Sequence, residues 1–486
     1  MKRRTFLKST AGVTALGPIT QSQASAGDAQ VSSSTPPNIV LIVADDLGYG
    51  DLNCYGSQNQ TPNLDAMAEE GVLFRQFYSG SPVCSPSRAS ILTGRYGVRA
   101  GVNTVFWPTD KGGLATNEVT IAEMLKPAGY QTMSVGKWHL GLPPQYLPTS
   151  RGFDAYYGIP YSNDMSPSIL MQNTSIIESP VNLNTLTQRY TTQAVNFINN
   201  SANAPFFLYM AHTFPHIPLA CSASFAGKSG MGLYGDVIQE IDWSVGQVLQ
   251  ALAANGIDQD TLVMFTSDHG PWFQGSPGGL RGRKGDTFDG GMRTPFIARY
   301  PNRIPARAAA RGNTRTRSTR TTPRSRTVDV MATALDLLPT IAGFAGSPLP
   351  PNPLDGVDIG PLLRGQLTTV SRPTFFYFNN WDLQCARMGP WKLHVSRGNV
   401  PAYTAAPAVG YYNLRLINPE LYNIDDDPDE SQDVSKQNPG IVAQIQQEIA
   451  QALPSFPANV QNAWAHTQSV PVNPNEPGSY PTPITP

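Results

Sequence analysis

The stretch NIVLIVADD, residues 38–46, determines the fold class of this 486-residue chain. An almost wholly apolar run is followed directly by two carboxylates, Asp45 and Asp46. An uninterrupted apolar run of this length predicts a β-strand that is buried on both faces, as in a sheet covered by helices on each side. The acidic pair marks the end of that strand as a place for polar chemistry.

Three further segments repeat this pattern of an apolar run followed by polar residues of catalytic type. Residues 131–136 precede Lys137 and His139, residues 205–211 precede His212, and residues 261–266 precede Asp268 and His269. Segments with helical spacing of apolar residues lie between them, at 61–70, 118–126 and 237–252. Alternating strands and helices predict an α/β fold, in which ligands bind beyond the carboxyl ends of the strands. The four strand ends are therefore expected to share one site.

The segment CSPSR, residues 84–88, fits the first turn of a helix. Proline is tolerated there because its missing N–H would have no partner in any case, and Arg88 returns to the same face as Cys84 after four residues. A group derived from the thiol would then face the positive end of a helix with a guanidinium beside it, which suits an oxyanion. Taken alone, however, an isolated C-x-P-x-R pattern favours a buried cysteine in an ordinary Ser/Pro turn.

The longer run CSPSRASILTGR, residues 84–95, resembles the signature of the type I sulfatase family, in which the cysteine is oxidised after translation to formylglycine (3-oxoalanine). Four more blocks resemble the branch of that family that contains arylsulfatase A and N-acetylgalactosamine-6-sulfatase: DDLGYGDL at 45–52, TPNLD at 61–65, GKWHLG at 136–141 and GIPYS at 158–162. The resemblance extends from about residue 38 to residue 300, and more weakly to about residue 433.

The resemblance implies an alkaline-phosphatase-like sandwich, with a large mixed sheet between helices, and a smaller C-terminal subdomain. Beyond about Arg372 the sequence changes to short aromatic segments at 374–378 and 391–395, an acidic turn at 425–429 and a helical segment at 440–453. This succession predicts an antiparallel sheet followed by a helix. The expected domains are a catalytic domain at 35–371 and a C-terminal subdomain at 372–486, whose Pro-rich tail beyond Pro454 is expected to be extended.

Asp45, Asp46 and Asp268 supply carboxylate oxygens, the ligands that hard divalent cations prefer. Two acids at one strand end can instead cap a helix or a turn, and for the pair alone the two interpretations are even; the third carboxylate favours a metal. The resemblance implies one calcium ion, held by Asp45, Asp46, Asp268 and His269 together with the oxidised Cys84. Because the arylsulfatase A branch has Asn at the position of His269, the imidazole leaves the identity of the metal open.

Lys137 and His139 are two residues apart, so in an extended segment they point to the same side while Trp138 points away. An ammonium group and an imidazole in one pocket suit the binding of a sulfate ester and proton transfer. The alternative, a solvated lysine beside a structural histidine, would be preferred without the GKWHLG block. The resemblance implies that both side chains contact the nucleophile and the substrate, with His139 as the base of the elimination step.

Two histidines compete for one further role. The family pattern is His-x-Pro, which residues 216–218 match, so the resemblance implies that His216 donates a proton near the leaving group. His212 is then structural or peripheral. Lys284, in the glycine-rich segment 283–291, resembles the second sulfate-binding lysine of the family, and its glycine neighbours allow the backbone to approach a bound anion closely.

The activity implied by the resemblance is hydrolysis of a sulfate ester, on a small aryl compound or a sulfated glycan, to an alcohol or phenol and inorganic sulfate. A hydroxyl of the hydrated aldehyde at position 84, activated by the metal and Arg88, would attack sulfur. The first alternative is a phosphomonoester or phosphonate hydrolase on the same scaffold. The second is a catalytically silent protein that binds sulfated glycans, but such a protein would be expected to lack the nucleophile or a metal carboxylate, and this chain retains all of them.

The N-terminus has the organisation of a signal peptide with a twin-arginine start. Arg3 and Arg4 precede a mildly apolar stretch to about Ile19, and a small-residue cleavage site ends at residue 26. A basic amphipathic tail is the weaker alternative. The expected partners are the Tat export machinery of a bacterium and a formylglycine-generating enzyme, which must act on Cys84 before the chain folds and leaves. The expected location is periplasmic or secreted.

Bulk composition excludes two classes of partner. A formal net charge of −1 predicts binding to neither nucleic acid nor membrane lipid, and no stretch has the length of a membrane span.

Segment 302–327 has eight arginines and no acid. A tolerated surface insertion is the favoured interpretation, and a basic lip for sulfated polymers is the alternative. Cys54, Cys84, Cys221 and Cys385 do not form a disulfide framework, and the sequence selects no pairing among them.

Overall fold

The structure is a computed structural model that describes residues 36–201, 203–306, 325–399 and 412–469. The predicted signal peptide at 1–26 and most of the arginine-rich segment 302–327 lie outside these ranges, so their roles stay predictions. Among the described residues, no helix combines the length and the apolar character needed to cross a membrane.

Strands and helices alternate along most of the described chain. The strands, in chain order, are β1 Asn38–Ala44, β2 Val72–Tyr78, β3 Gln131–Gly136, β4 Ala155–Gly158, β5 Leu170–Gln172, β6 Ser175–Glu178, β7 Phe206–Ala211, β8 Thr261–Ser267, β9 Arg293–Arg299, β10 Arg326–Val328, β11 Ala332–Thr333, β12 Phe375–Asn379, β13 Asp382–Met388, β14 Trp391–Gly398 and β15 Asn413–Asn423. The helices are α1 Pro62–Glu69, α2 Cys84–Thr93, α3 Ile121–Leu125, α4 Leu186–Ser201, α5 Gly232–Ala254, α6 Asp289–Met292, α7 Leu337–Ala345, α8 Gly360–Leu363, α9 Pro439–Ala452 and α10 Ala458–Ser469.

The three helices predicted between the strands are α1, α3 and α5, with different bounds. Helix α3 is shorter than predicted because Thr120 and Glu123 form a capping box that starts it, and a 3-10 turn follows from Lys126. Helix α5 is longer at both ends than its predicted span of 237–252.

The large sheet of the described chain has eleven strands, in the order β10-β2-β9-β8-β1-β7-β3-β4-β5-β6, with β11 paired to β2. The four strands predicted from their apolar runs, β8, β1, β7 and β3, are consecutive in this order and mutually parallel. Antiparallel pairs flank them, between β8 and β9 on one side and between β4 and β5 on the other. The predicted large mixed sheet is confirmed.

Helices cover both faces of the large sheet. Alternate residues of its central strands point to opposite faces, and apolar side chains on both faces must be kept from water. In β1, Ile39, Leu41 and Val43 belong to a buried cluster that includes residues of α2, α3 and α7. Val40 and Ile42 belong to a second cluster with residues of α1, α4 and α5. Every residue of β1 is buried, as its uninterrupted apolar sequence predicts. The chain therefore has the predicted α/β sandwich fold.

Strands β12 to β15 form a separate antiparallel sheet, here called the small sheet, with the order β12-β13-β14-β15. Helix α9, predicted at 440–453, packs on this sheet through the buried side chains of Ile445 and Ile449. The predicted domain boundary between residues 371 and 372 lies between α8 and β12, where the chain passes from the large sheet to the small sheet. The division into domains at 35–371 and 372–486 remains a prediction.

The extended tail that the sequence predicts beyond Pro454 is wrong for residues 458–469, which form α10. Only Val460 and Thr467 of this helix are buried, and Thr467 Oγ1 accepts a hydrogen bond from Asn413 Nδ2 (3.1 Å) on β15. With so few buried positions the helix shows almost no amphipathic pattern, and contacts with the small sheet stabilise it instead. Residues 470–486 lie outside the described ranges.

All four cysteines lie within the described ranges, and none of them forms a disulfide. Cys84, Cys221 and Cys385 are buried, and Cys54 is half-buried. The sequence left the pairing of the cysteines open, and the structure joins none of them in a disulfide.

Candidate active site

The carboxyl ends of the four parallel strands meet at one edge of the large sheet. Ala44 of β1 lies beside Ser267 of β8, and Ala211 of β7 lies beside both Val43 of β1 and Gly136 of β3. The residues that follow these positions leave the sheet side by side. The polar groups after each apolar run are thus placed at a common edge, as the sequence predicts.

Helix α2 brings Cys84 to this edge. Cys84 is the first residue of the helix, in agreement with the position predicted from its Ser-Pro sequence. Its Sγ lies 3.3 Å from His269 Nε2, 3.6 Å from Lys137 Nζ and 3.8 Å from Asp45 Oδ1. The residue is only 2% exposed. Position 84 is therefore the point at which the helix and three strand ends meet.

Arg88 joins three of the strand ends. Its Nη2 donates to Asp268 Oδ2 (3.0 Å) and lies 3.2 Å from Asp45 Oδ1, while its Nη1 donates to the carbonyl oxygen of Lys137 (3.0 Å). The guanidinium and both carboxylates are wholly buried. A buried charge is tolerated only with such partners, and the planar fork of arginine can address several acceptors at once.

Two carboxylates of the site, those of Asp45 and Asp46, each face a lysine. Lys137 Nζ donates to Asp45 Oδ2 (2.6 Å), and Lys284 Nζ donates to both carboxylate oxygens of Asp46 (2.8 and 2.9 Å). Burial would raise the pKa of Asp45, but Lys137 and Arg88 outweigh burial and hold that pKa well below its usual value. Burial would also raise the pKa of Asp46, but Lys284 and His216 outweigh burial and lower it. Asp45 and Asp46 are therefore ionised, and each is paired with an ammonium group.

Four buried side chains form a group that suits a metal ion. Asp45, Asp46, Cys84 and His269 offer one ligand atom each, and these atoms all lie within 4.8 Å of one another. Burial lowers the pKa of His269, but Asp268 and Cys84 raise it to about 9, so the surroundings draw positive charge to this imidazole. Carboxylates suit a hard cation such as calcium and imidazole suits a transition metal. The donors fit a divalent cation without selecting one.

Asp268 lies next to this group of four rather than in it. Its Oδ1 accepts hydrogen bonds from the N–H groups of Asp46 (3.2 Å) and His269 (3.0 Å), and its Oδ2 is paired with Arg88. Burial raises the pKa of Asp268 to about 7. The five predicted metal ligands are thus brought together, but Asp268 fixes the backbone of two donor residues through these bonds.

The surroundings of position 84 stabilise negative charge. Burial would raise the pKa of the Cys84 thiol, but the ammonium groups of Lys137 and Lys284 lower it to about 6. Any other group at this position that develops negative charge would be stabilised by the same two lysines.

His139 has a conformation that differs from the predicted extended segment. Its φ is +60°, in the left-handed region that non-glycine residues rarely adopt, and its N–H donates to the carbonyl of Pro160 (3.1 Å). This bond turns the chain out of the sheet directly after β3. The predicted extended segment therefore ends at His139, and the imidazole still lies close enough to Lys137 and Arg88 for their charges to lower its pKa.

The ring of His139 is positioned to accept a proton. Its Nε2 lies 2.9 Å from the carbonyl oxygen of Phe106, so Nε2 carries the hydrogen and Nδ1 keeps its lone pair. Nδ1 has no hydrogen-bond partner among the described residues. Burial, together with Lys137 and Arg88, lowers the pKa of His139 well below its usual value. The imidazole is therefore neutral at neutral pH.

The two competing histidines occupy different places. His216 Nε2 lies 3.4 Å from Ser162 Oγ and 3.9 Å from Asp46 Oδ2, so His216 faces the site. His212 is buried, and neither of its ring nitrogens has a hydrogen-bond partner in the described part of the chain. The preference for His216 over His212 agrees with this placement.

Ser162 is a site residue to which the sequence assigned no role. Its Oγ accepts a hydrogen bond from Lys137 Nζ (3.1 Å) and lies 3.4 Å from His216 Nε2, so it connects the lysine to the histidine. The signal that would have pointed to it is its place at the end of the GIPYS block, residues 158–162.

A profile of the sulfatase family matches residues 37–347 of the chain. The chain belongs to the sulfatase family. A second profile, for the C-terminal region of aryl-sulfatase, matches residues 370–480 of this sulfatase. The predicted resemblance to type I sulfatases is confirmed.

Curated relatives cover most of this sulfatase. Arylsulfatase A of Homo sapiens is 38% identical over 467 residues, which are 87% of this sulfatase and 88% of the human protein. N-acetylgalactosamine-6-sulfatase of Canis lupus familiaris is 40% identical over 404 residues, which are 76% of this sulfatase and 73% of the canine protein.

Solved structures share the fold. One, from work on the metabolism of glycosaminoglycans by Bacteroides thetaiotaomicron, has a TM-score of 0.73 and 28% identity, and covers 86% of this sulfatase and 99% of that chain. Another, Ps i-CgsB in complex with k-i-k-neocarrahexaose, has a TM-score of 0.71 and 27% identity, and covers 90% and 98% of the two chains. The fold class is confirmed, and the protein is an enzyme, a sulfuric ester hydrolase, as predicted.

Proposed function

We propose that this sulfatase cleaves sulfate esters through a formylglycine derived from Cys84. The observation that carries the proposal is the place of Cys84 Sγ, at the start of α2 between His269 Nε2 (3.3 Å) and Lys137 Nζ (3.6 Å). The thiol sulfur marks where the oxygens of the oxidised side chain would lie. Once formed, the hydrated aldehyde supplies a hydroxyl that attacks sulfur, and it releases sulfate as the aldehyde is restored.

Lys137 and Lys284 bind the sulfate group in this proposal. The same two ammonium groups lower the pKa of the Cys84 thiol, so they act on negative charge at position 84. Charges placed in this way also stabilise the negative oxygens of a sulfate ester, most strongly where charge increases in the transition state. Burial keeps water from weakening these interactions.

His139 and His216 serve proton transfer in this proposal. His139 is neutral and its Nδ1 lone pair is free among the described residues, so it can take the proton of a hydroxyl at position 84 when sulfate is expelled. His216 Nδ1 lies 2.5 Å from the carbonyl oxygen of Ile217, so Nδ1 carries a hydrogen and Nε2 faces the leaving-group oxygen. Nε2 donates to that oxygen only when the ring is protonated, since in the neutral ring it carries a lone pair. Arg88 holds the strand ends of Asp45 and Asp268 in register with position 84.

We propose one divalent cation, calcium by resemblance, held by Asp45, Asp46, His269 and the oxidised residue 84. Asp268, the fifth predicted ligand, would reach the cation only by giving up one of its present hydrogen bonds. Bound there, such a cation acts as a Lewis acid toward the sulfate oxygens and the nucleophile. Three cationic side chains, Lys137, Lys284 and Arg88, face at most three carboxylate charges, so the cation would leave the site with a net positive charge. A net positive site suits an anionic ester.

The alcohol part of the ester is proposed to contact the loop at residues 103–114. Phe106 in this loop is tied to the site, because its N–H donates to Ser85 Oγ (3.1 Å) and its carbonyl oxygen binds His139 Nε2 (2.9 Å). The next residue, Trp107, is 57% exposed. An exposed indole on the residue that follows Phe106 suits stacking against an aryl ring or a sugar ring. The proposed substrates are therefore aryl sulfates or sulfated carbohydrates.

Maturation and export are proposed to occur in a fixed order. Helix α2 is buried along its whole length, so a formylglycine-generating enzyme has no access to Cys84 after folding. Conversion must therefore precede folding, and export of the folded chain by the Tat machinery would follow. The proposed location is the periplasm or the medium.

The test combines mass spectrometry with an assay. Enzyme made in its own host is digested, the peptide that contains residue 84 is weighed, and turnover of 4-nitrophenyl sulfate and 4-nitrophenyl phosphate is measured. We expect the mass of formylglycine, higher turnover of the sulfate, and loss of activity in Cys84→Ala but not in Cys221→Ala, which removes another buried free thiol. Full activity in protein whose residue 84 is an unmodified thiol would contradict the proposal, and faster turnover of the phosphate would favour a phosphomonoester hydrolase.

A further inference from the structure

The segment that carries Lys284, residues 281–289, is here called the Lys284 loop. On the side of the active site, the N–H of Lys284 donates to the carbonyl of Pro271 (3.0 Å). The N–H of Gly285 donates to the carbonyl of Pro82 (2.9 Å), just before α2. The middle of the loop is therefore fixed beside the helix that begins with the nucleophile position.

The small sheet and the segment that follows it, which carries Glu430, contact the loop as well. Asp289 N–H donates to Glu430 Oε1 (2.6 Å), and Arg281 Nη1 donates to the carbonyl oxygen of Glu430 (3.0 Å). Both ends of the Lys284 loop therefore meet the same residue. Asn379 Nδ2, at the end of β12, donates to the carbonyl oxygen of Gly285 (2.9 Å) in the middle of the loop.

Ion pairs hold the Glu430 carboxylate in place. Oε1 also accepts a hydrogen bond from Lys392 Nζ (3.0 Å), and Oε2 lies 2.5 Å from His394 Nε2. Lys392 Nζ lies 2.9 Å from Asp289 Oδ1 as well, so it bridges the loop and the small sheet. The side chains of Asp289, Lys392 and Glu430 are wholly buried. Paired charges in such surroundings are costly to separate, which makes the connection rigid.

The backbone of Glu430 is held in an uncommon conformation. Its φ is +52°, in the left-handed region, and its N–H donates to the carbonyl of Asp427 (3.1 Å). The acidic turn at 425–429 therefore directs this glutamate into the interior. A glutamate in a conformation that favours glycine indicates that its side chain, rather than its backbone, is what the position requires.

We propose that Glu430 is a positioning residue for Lys284. Its carboxylate and carbonyl hold both ends of the Lys284 loop, and the loop in turn sets where the ammonium group meets the sulfate. This inference rests on the proposed function of Lys284 as a sulfate-binding residue. A sulfate group is bound by the lysine both before and during reaction, so loss of Glu430 raises KM more than it lowers kcat.

Glutamate substitutions test the inference. Glu430→Ala is expected to raise KM for 4-nitrophenyl sulfate and the inhibition constant of inorganic sulfate about tenfold, the effect of losing one hydrogen bond to a charged group. Glu430→Gln should have a smaller effect, because its remaining oxygen can still accept from Asp289 N–H. The control is Glu448→Gln, which lies on α9 and accepts from Thr374 Oγ1 (3.1 Å). It should leave both constants unchanged.

A double-mutant cycle separates positioning from general stabilisation. In a Lys284→Ala background, Glu430→Ala should raise KM no further, since residues that act through one another are not additive. An equal rise in both backgrounds would overturn the inference, as would a fall in Tm and active fraction with KM unchanged. If Lys284→Ala alone leaves KM unchanged, the sulfate-binding role of Lys284 is what has failed. The two failures are thereby distinguished.

Asn379→Ala provides a second route where Glu430→Ala does not fold. This half-buried side chain contributes one neutral hydrogen bond to the Lys284 loop, so its removal is less disruptive. We expect KM to rise about threefold in the native background and not at all in Lys284→Ala. No rise in the native background would count against the inference.

Discussion

Lys284 Nζ lies 2.8 and 2.9 Å from the two carboxylate oxygens of Asp46, although 238 residues separate them in the chain. Asp46 follows the first strand of the large sheet, and Lys284 lies on a loop after β8. Their contact links the proposed metal site to the proposed sulfate pocket. A change at either residue is therefore expected to affect both.

Removal of divalent metal is expected to abolish activity and lower Tm, because four donor atoms converge within 4.8 Å. A ligand that binds only the native state stabilises it by about 2.7 kcal/mol at one hundred times its Kd. Thermal unfolding after treatment with EDTA, and again after calcium, magnesium or zinc is added, measures this and identifies the metal. Asp46→Asn is the control, and its Tm should no longer change when the metal is removed or added back. Full activity in protein shown to be metal-free would contradict the metal site.

Arg88→Lys is expected to lower kcat/KM at least about a hundredfold and to lower Tm. A lysine lacks the planar fork with which Arg88 contacts Asp45, Asp268 and the carbonyl of Lys137 at once. Leaving a buried charge unpaired typically costs about 3–5 kcal/mol. Steady-state kinetics and thermal unfolding measure the two effects. Arg75→Lys is the control, since its ion pair with Asp329 is exposed and contributes little. Equal changes in kcat/KM and Tm in the two variants would contradict the proposal that Arg88 holds Asp45 and Asp268 in place.

His212 is expected to make stability depend on pH between about 6.5 and 4. Burial lowers the pKa of His212 to about 4, whereas an unfolded histidine has a pKa of about 6.5. The unfolded chain binds the extra proton in this window, so the free energy of unfolding falls as pH falls, by about 3 kcal/mol for this group. Chemical denaturation at pH 7 and pH 4.5 should show a smaller loss in His212→Phe than in the wild type. His466→Gln, on the exposed side of α10, should match the wild type. An unchanged loss in His212→Phe would refute the assignment.

Trp107→Ala is expected to raise KM for 4-nitrophenyl sulfate about three- to tenfold with little change in kcat, because one aromatic contact with the substrate ring is lost. Inhibition by inorganic sulfate should be unchanged, since sulfate has no ring to stack. Initial-rate kinetics with both compounds measure the effects. Ile417→Ala removes another exposed apolar side chain and should change neither constant. A parallel loss of sulfate inhibition would mean that the loop at 103–114 shapes the anion pocket instead.

Much of the fold could be predicted from local pattern. The run at 38–44 and two of its counterparts, at 205–211 and 261–266, are mostly apolar over strand length, and the run at 131–136 is less so. Continuous apolar runs of this kind are typical of strands between two layers of helices, so burial on both faces could be predicted. Cys84 at the start of a helix followed in the same way from its Ser-Pro sequence. Helix α10 could not be predicted, because two buried positions do not make an amphipathic pattern and contacts with the small sheet stabilise it.

Less of the site could be predicted, because its groups are set by packing. The turn at His139 depends on a hydrogen bond to the carbonyl of Pro160, and the bridging role of Ser162 depends on where Lys137 and His216 meet. Nothing in the sequence around Glu430 predicted a buried side chain, since an acidic residue after an acidic turn is normally solvated. Its burial becomes visible only once the small sheet is seen to lie against the Lys284 loop.

The sequence by itself determined the chemical groups and the local elements that carry them. These are the strands that precede Asp45 and Asp268 and the helix that begins with Cys84, and the sequence also determined the family. Hydrophobic periodicity and turn chemistry act over a few residues, so short segments of sequence are enough to predict the strands and helices. The tertiary structure alone decided which cation faces which carboxylate and that the small sheet holds the Lys284 loop. Those ion pairs join residues far apart in sequence, and their distances depend on how the strands order and the layers pack.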